Sequence, residues 1–141
     1  MVQNLDYIYV PKADINEGIS AGTITKAALY FTKEYLFVVP FERLQVLLAG
    51  METKYGNMKD YVVEINKQIP ELSTNDFNNL MLGKLKPERI YRLAELDKFT
   101  IQVGFWIFGG IRIRKKGGEM QVFNVQPASL RFEIKRFYGL V

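Results

Sequence analysis

The chain has 141 residues, with 19 Lys and Arg against 15 Asp and Glu for a formal net charge of +4, and 48% of its residues are hydrophobic. That size and balance fit one globular domain with its own core and exclude a disordered, highly charged segment. Neither cysteine nor histidine occurs, which excludes disulfides, thiolate nucleophiles, Ser-His-Asp and Cys-His catalysis, and every cysteine or histidine metal site.

In chain order, Leu5 to Val10 is rich in β-forming residues and stops at Pro11, which predicts a first strand. Lys12 to Thr25 carries Gly18 and Gly22 without an apolar period and reads as a loop. Two apolar runs follow, Lys26 to Phe31 and Tyr35 to Val39, separated by Thr32-Lys33-Glu34, and this predicts a hairpin. Beyond Pro40 the spacing of Phe41, Leu44, Leu48 and Met51 is helical, while Leu44, Val46 and Leu48 also alternate, so helix and strand both fit residues 41–50. Tyr55-Gly56-Asn57 reads as a turn, and Tyr61, Ile65 and Ile69 set a helix over Met58 to Ile69 that stops at Pro70. Ser73 offers a cap to a helix with Phe77, Leu80 and Met81 inward and Gly83 at its end. Pro87 opens another predicted helix, with Ile90, Leu93 and Ala94 buried.

From Lys98 the period becomes two. Phe99, Ile101, Val103, Phe105 and Ile107 share one face of a strand that Gly109-Gly110 interrupts. Ile111 and Ile113 alternate with Arg112 and Arg114, Lys116 to Glu119 is a hairpin turn, and Met120 to Val125 returns. Pro127 opens a last helix with Leu130, Ile134, Phe137 and Tyr138 on one side and Arg131, Lys135 and Arg136 mostly on the other. The segregated order predicts an α+β fold, an antiparallel sheet of hairpins with a helical middle segment and a closing C-terminal helix, in a single domain over residues 1–141.

Two segments carry a family resemblance. Ala27-Ala28-Leu29-Tyr30-Phe31-Thr32-Lys33-Glu34-Tyr35-Leu36-Phe37-Val38-Val39-Pro40 resembles a hairpin of bacterial pleckstrin-homology-like and GRAM-like domains. The hairpins from Lys98 to Val125 and the helix from Pro127 to Leu140 resemble the later strands and closing helix of that fold. The helical middle, residues 41–96, departs from the pattern and can be read as an insertion. The resemblance covers somewhat under half of the chain. It implies a bent sheet capped by a C-terminal helix, used to bind lipid headgroups or protein segments and rarely to catalyse.

Charge is unevenly placed. Residues 1–110 hold 12 basic and 13 acidic residues, whereas residues 111–141 hold 7 basic (Arg112, Arg114, Lys115, Lys116, Arg131, Lys135 and Arg136) and 2 acidic. Such a concentration attracts anionic lipid, phosphate or an acidic partner, and equally describes the solvated faces of a strand and a helix. Trp106 and Phe108 beside these cations could stack on bases or anchor a protein partner, and could equally be core. The glycine pairs lack any phosphate-loop pattern, and Asp14-Ile15-Asn16-Glu17-Gly18 misplaces the glycine and lacks the bidentate glutamate of a calcium loop. No pair of carboxylates is marked for acid–base work, so no enzyme and no cofactor is expected.

The expectation is thus a non-enzymatic binding module whose basic C-terminal hairpin and helix contact an anionic surface or acidic partner, a lipid headgroup or a protein. Its contact residues are Arg112, Arg114, Lys115 and Lys116, supported by Arg131, Lys135 and Arg136. One alternative is a single-stranded nucleic-acid binder that adds Trp106 and Phe108. Another is an interaction or homo-oligomerisation domain, using the edges of Leu5–Val10 or Phe99–Phe108. The opening Met1 to Asp6 lacks a secretory pattern. The apolar stretch Val103 to Ile111 is far short of the ~20 residues of a spanning helix, so no integral membrane segment and a cytoplasmic location are expected.

Overall fold

The computed structural model describes residues 6–16, 23–45, 58–102, 110–118 and 120–140. Seven strands form one antiparallel sheet: β1 (Tyr7–Asn16), β2 (Thr23–Thr32), β3 (Tyr35–Gln45), β4 (Ile90–Arg92), β5 (Leu96–Gln102), β6 (Gly110–Lys115) and β7 (Met120–Val125). Their order across the sheet is β4-β3-β2-β1-β7-β6-β5. Three helices complete the described fold: α1 (Met58–Gln68), α2 (Thr74–Lys84) and α3 (Ala128–Phe137). The α+β architecture expected from the sequence, with helices in the middle and at the C-terminal end, is the one observed.

Alternation along the strands divides their side chains between two cores. On one face, Val10, Ile15, Leu29, Phe31, Leu36 and Val38 meet Ile111, Ile113, Phe123 and Val125 from the other half of the sheet. Ile134 of α3 joins this cluster. The sheet is curled enough for Tyr91 of the β4 edge to meet Phe123 of β7 edge-on, with ring centroids 5.9 Å apart. On the opposite face, Ala28, Tyr30, Phe37 and Val39 pack against Val62, Ile65, Phe77 and Met81 of α1 and α2. Every residue from Ala27 to Phe31 is buried, because one parity serves each core.

Several boundaries differ from the sequence expectation, and each difference has a local cause. β1 does not end at Pro11. A register irregularity between Val10 and Ala13 takes up Pro11 and Lys12, and the strand continues to Asn16 where a loop was expected. A bulge accommodates a proline because the missing N–H falls where the ladder is already broken. The same device carries β3 through Pro40: Ala27 pairs with Pro40 and Lys26 with Glu42, leaving Phe41 as the extra residue. Residues 41–45 are therefore strand, and residues 46–57, including the expected turn at Tyr55-Gly56-Asn57, lie outside the described residues.

α1 follows the expected span and passes into a 3₁₀ turn at Ile69–Glu71. Ser73 caps α2, its Oγ accepting from the Asp76 amide at 3.1 Å. The helix expected after Pro87 is absent. A 3₁₀ turn at Pro87–Arg89 gives way to β4 and a second turn at Leu93–Glu95. Ile90 and Tyr91 go to opposite cores, an alternation that only a strand provides. The turn between β6 and β7 is as expected, with Gly117 at φ +75°.

Candidate functional site

β6 delivers the first basic residues by simple alternation. Ile111 and Ile113 are buried, and Arg112 and Arg114 lie on the outer face of the sheet opposite Thr100 and Lys98 of β5. Arg112 is exposed there. Arg114 is paired: a register irregularity between Leu96 and Lys98 sets Asp97 beside it, and Asp97 Oδ2 accepts from Arg114 Nη2 at 2.7 Å and from Nε at 3.0 Å.

Lys115 and Lys116 behave differently. Lys115 reaches across the mouth of the curled sheet, donating to the Pro87 carbonyl at 3.2 Å with its ammonium 4.8 Å from the Tyr91 ring centroid. Together with Lys116 it lines a groove of about 770 Å³ that runs between the end of α2 and the turns flanking β4. Leu82, Leu85, Ile90 and Leu96 supply apolar walls, Arg92 a third cation and Glu95 the one acid. Arg92 is held in place by stacking on Tyr35, 5.2 Å from the ring centroid, and by donating from Nη1 to the Tyr35 hydroxyl at 2.8 Å. Lys116 is exposed and has no ion pair among the described residues. The site thus sets three positive charges around an apolar groove, which suits an anionic group attached to something apolar.

Neither a family model, nor a curated protein, nor a solved structure matches the chain.

The remaining basic residues do not join this groove. Arg131 was expected on the exposed side of the last helix and is 0% exposed. It stands three residues before Ile134 and seven before Tyr138, so it shares their inward stripe. Its Nη1 donates to the Val125 carbonyl, tying α3 to the strand before it. Burial pulls its pKa down from the ordinary arginine value. Arg131 is therefore a packing residue and not a surface contact. Lys135 is half-buried, and Arg136 is exposed with its guanidinium 5.1 Å from the Phe132 ring. Arg136 borders a separate groove between α3 and the start of β1. Trp106 and Phe108 lie outside the described residues.

The seven cations of residues 111–141 are accordingly split among an outer sheet face, a groove, a core and a helix surface. Sequence reasoning found Lys115 and Lys116 but missed Arg92, which sits in a stretch with no net positive charge and reaches the groove only through the curl of the sheet. Among the described residues no cluster of three carboxylates is placed to hold a metal ion. No helix among them is long and apolar enough to cross a membrane.

Proposed function

We propose that the chain is a non-enzymatic binding module whose Arg92–Lys115–Lys116 groove takes an acidic protein segment that also carries apolar side chains. The observation that carries this reading is the groove itself, three cations against one acid around leucine and isoleucine walls. Lys115 and Arg92 are already oriented by Pro87 and Tyr35, so less side-chain entropy is lost when a carboxylate arrives. A bent sheet with a closing helix is also what the pleckstrin-homology-like resemblance implies, and such a fold is suited to presenting this surface.

The test is fluorescence anisotropy of a labelled peptide of interspersed Glu and Leu against its Lys and Leu counterpart, at low and physiological salt. A cation–carboxylate contact at 4 Å is worth about 1 kcal/mol in water and more near a protein surface. Reversing both charges in a Lys115→Glu/Lys116→Glu variant therefore weakens the acidic peptide by about tenfold or more. Unchanged affinity in a folded variant refutes the reading. Binding to anionic vesicles but not to the peptide transfers it to a lipid surface.

A second reading rests on the outer face of β5 and β6, where Lys98, Thr100, Gln102 and Arg112 are all exposed on neighbouring strands. Such an exposed basic face suits single-stranded nucleic acid. Affinity for oligothymidylate that falls steeply with salt and is lost in Lys98→Glu/Arg112→Glu supports it.

A further inference from the structure

The inward row of β7 changes character towards the mouth of the curled sheet. Val125 and Phe123 are fully buried, whereas Gln121, next in the same row and directly opposite Ile113 of β6, is only half-buried. A glutamine there stops the apolar packing one layer short of the rim. Tyr91 closes the far side, meeting Phe123 edge-on. What remains is a pocket of about 200 Å³, floored by Tyr91 and Ile113 and rimmed by Glu88, Gln121 and Lys115.

Lys115 lines this pocket and the Arg92–Lys115–Lys116 groove alike. Its side chain crosses between them. The ammonium donates to the carbonyl of Pro87 in the groove wall at 3.2 Å and lies 4.8 Å from the ring centroid of Tyr91 in the pocket floor. The two sides of Lys115 differ in sign. On the groove side stand Arg92 and Lys116 against Glu95, and on the pocket side the other charged residue of the lining is Glu88. A carboxylate is therefore drawn to the groove side and repelled from the pocket side, where a neutral side chain fits.

We infer that the pocket takes an aromatic side chain of the same acidic segment, close to the carboxylate that pairs with Lys115. The inference rests on the acidic-segment reading of the groove and adds to it the identity of a neighbouring residue. Size and charge both select a ring. A cavity of about 150 Å³ is enough for benzene. The Lys115 ammonium at the rim is attracted to the face of a ring and gains nothing comparable from an aliphatic group. Only 4.8 Å separates that ammonium from the centre of the Tyr91 ring, so carboxylate and ring come from residues close together on the segment. In an extended segment, side chains two positions apart share one side at about 7 Å. The recognised element is thus an acidic and an aromatic residue two positions apart.

The experiment measures fluorescence anisotropy of two labelled peptides of interspersed Glu and Leu that differ at one central position, phenylalanine in one and leucine in the other, with Glu two residues to either side. The phenylalanine peptide is expected to bind about fivefold more tightly. Gln121→Trp and Glu88→Trp fill the pocket from different walls, and each is expected to remove that preference while the leucine peptide still binds. Glu88 is exposed and Gln121 half-buried, so the first tolerates substitution where the second does not, and circular dichroism and melting temperature establish that each variant is folded. Equal affinity of the two peptides, or a preference that survives in a folded Trp variant, overturns the inference. If the two peptides bind equally and both weaken in Lys115→Glu/Lys116→Glu, the acidic-segment reading stands without it. Binding of neither peptide overturns both.

Discussion

Replacing Phe77 by alanine tests whether α2 is held to the sheet as the ring contacts indicate. Phe77 is 0% exposed, and its ring lies 5.6 Å from that of Tyr30, 5.8 Å from that of Phe37 and 6.3 Å from that of Tyr7. Its ring meets aromatic rings from β1, β2 and β3. Removing a fully buried phenylalanine typically costs about 3–5 kcal/mol, from lost transfer energy and the cavity left behind. The upper half of that range is expected, because aromatic pairs add about 0.5–1.5 kcal/mol each beyond area alone and three are lost. For a chain of this size the melting temperature then falls by about 10–15 °C. Urea unfolding followed by circular dichroism gives the loss as a shift in midpoint at constant slope. A loss under about 1.5 kcal/mol, below even the mildest such truncations, refutes the view that this ring anchors the helix. A falling slope with two transitions refutes the view that the two cores unfold together.

Four further outcomes follow from the geometry. Asp97→Asn removes the partner of Arg114. Both side chains are more than two-fifths exposed, so stability falls by no more than about 1 kcal/mol and the difference disappears in high salt, while affinity for anionic peptide or oligothymidylate rises. Gly117→Ala costs about 1 kcal/mol by urea unfolding. Nothing lies within 4 Å of the added methyl group, so the whole cost is that of φ +75° for a residue with a side chain. Burial raises the phenolic pKa of Tyr30 and Tyr138 above its ordinary value of 10, and that of Tyr61 to about 12. Above pH 10 the unfolded chain releases protons that the fold retains, so stability is complete below about pH 10 and declines as pH rises towards 12, read as a falling urea midpoint. A midpoint that stays level across that window contradicts the burial of these hydroxyls. Arg131→Ala removes a buried donor from the Val125 carbonyl and a fully buried side chain, and costs at least about 2 kcal/mol by the same measurement, whereas Arg136→Ala stays within about 0.5 kcal/mol.

The legible parts of the fold were those written in a local period. Alternation along Lys98 to Gln102, Ile111 to Arg114 and Met120 to Val125 gave the second half of the sheet, and the spacing of Tyr61, Ile65 and Ile69 gave α1. Pro11 and Pro40 misled, because a proline reads as a strand end unless a bulge is known to fall there, and a bulge is set by the neighbouring strand. Ile90, Leu93 and Ala94 suggested a helix because their spacing ignores that Ile90 and Tyr91 serve cores on opposite faces. The candidate site was half legible. Lys115 and Lys116 stood out by charge, but the curl that brings Arg92 beside them is a property of the whole sheet. Arg131 was misplaced because a guanidinium was assigned to water by type, although its position shares the stripe of Ile134 and Tyr138.

The double burial of β2 has a consequence outside the native state. Ala27-Ala28-Leu29-Tyr30-Phe31 carries no charge and no proline, and its isolation from solvent depends on both flanking strands and both side-chain layers being in place. Released from them, it is a short apolar stretch of the kind that stacks between chains into cross-β fibrils. The segment that links the two cores is thus also a hazard when uncovered, as in nascent or heat-unfolded copies.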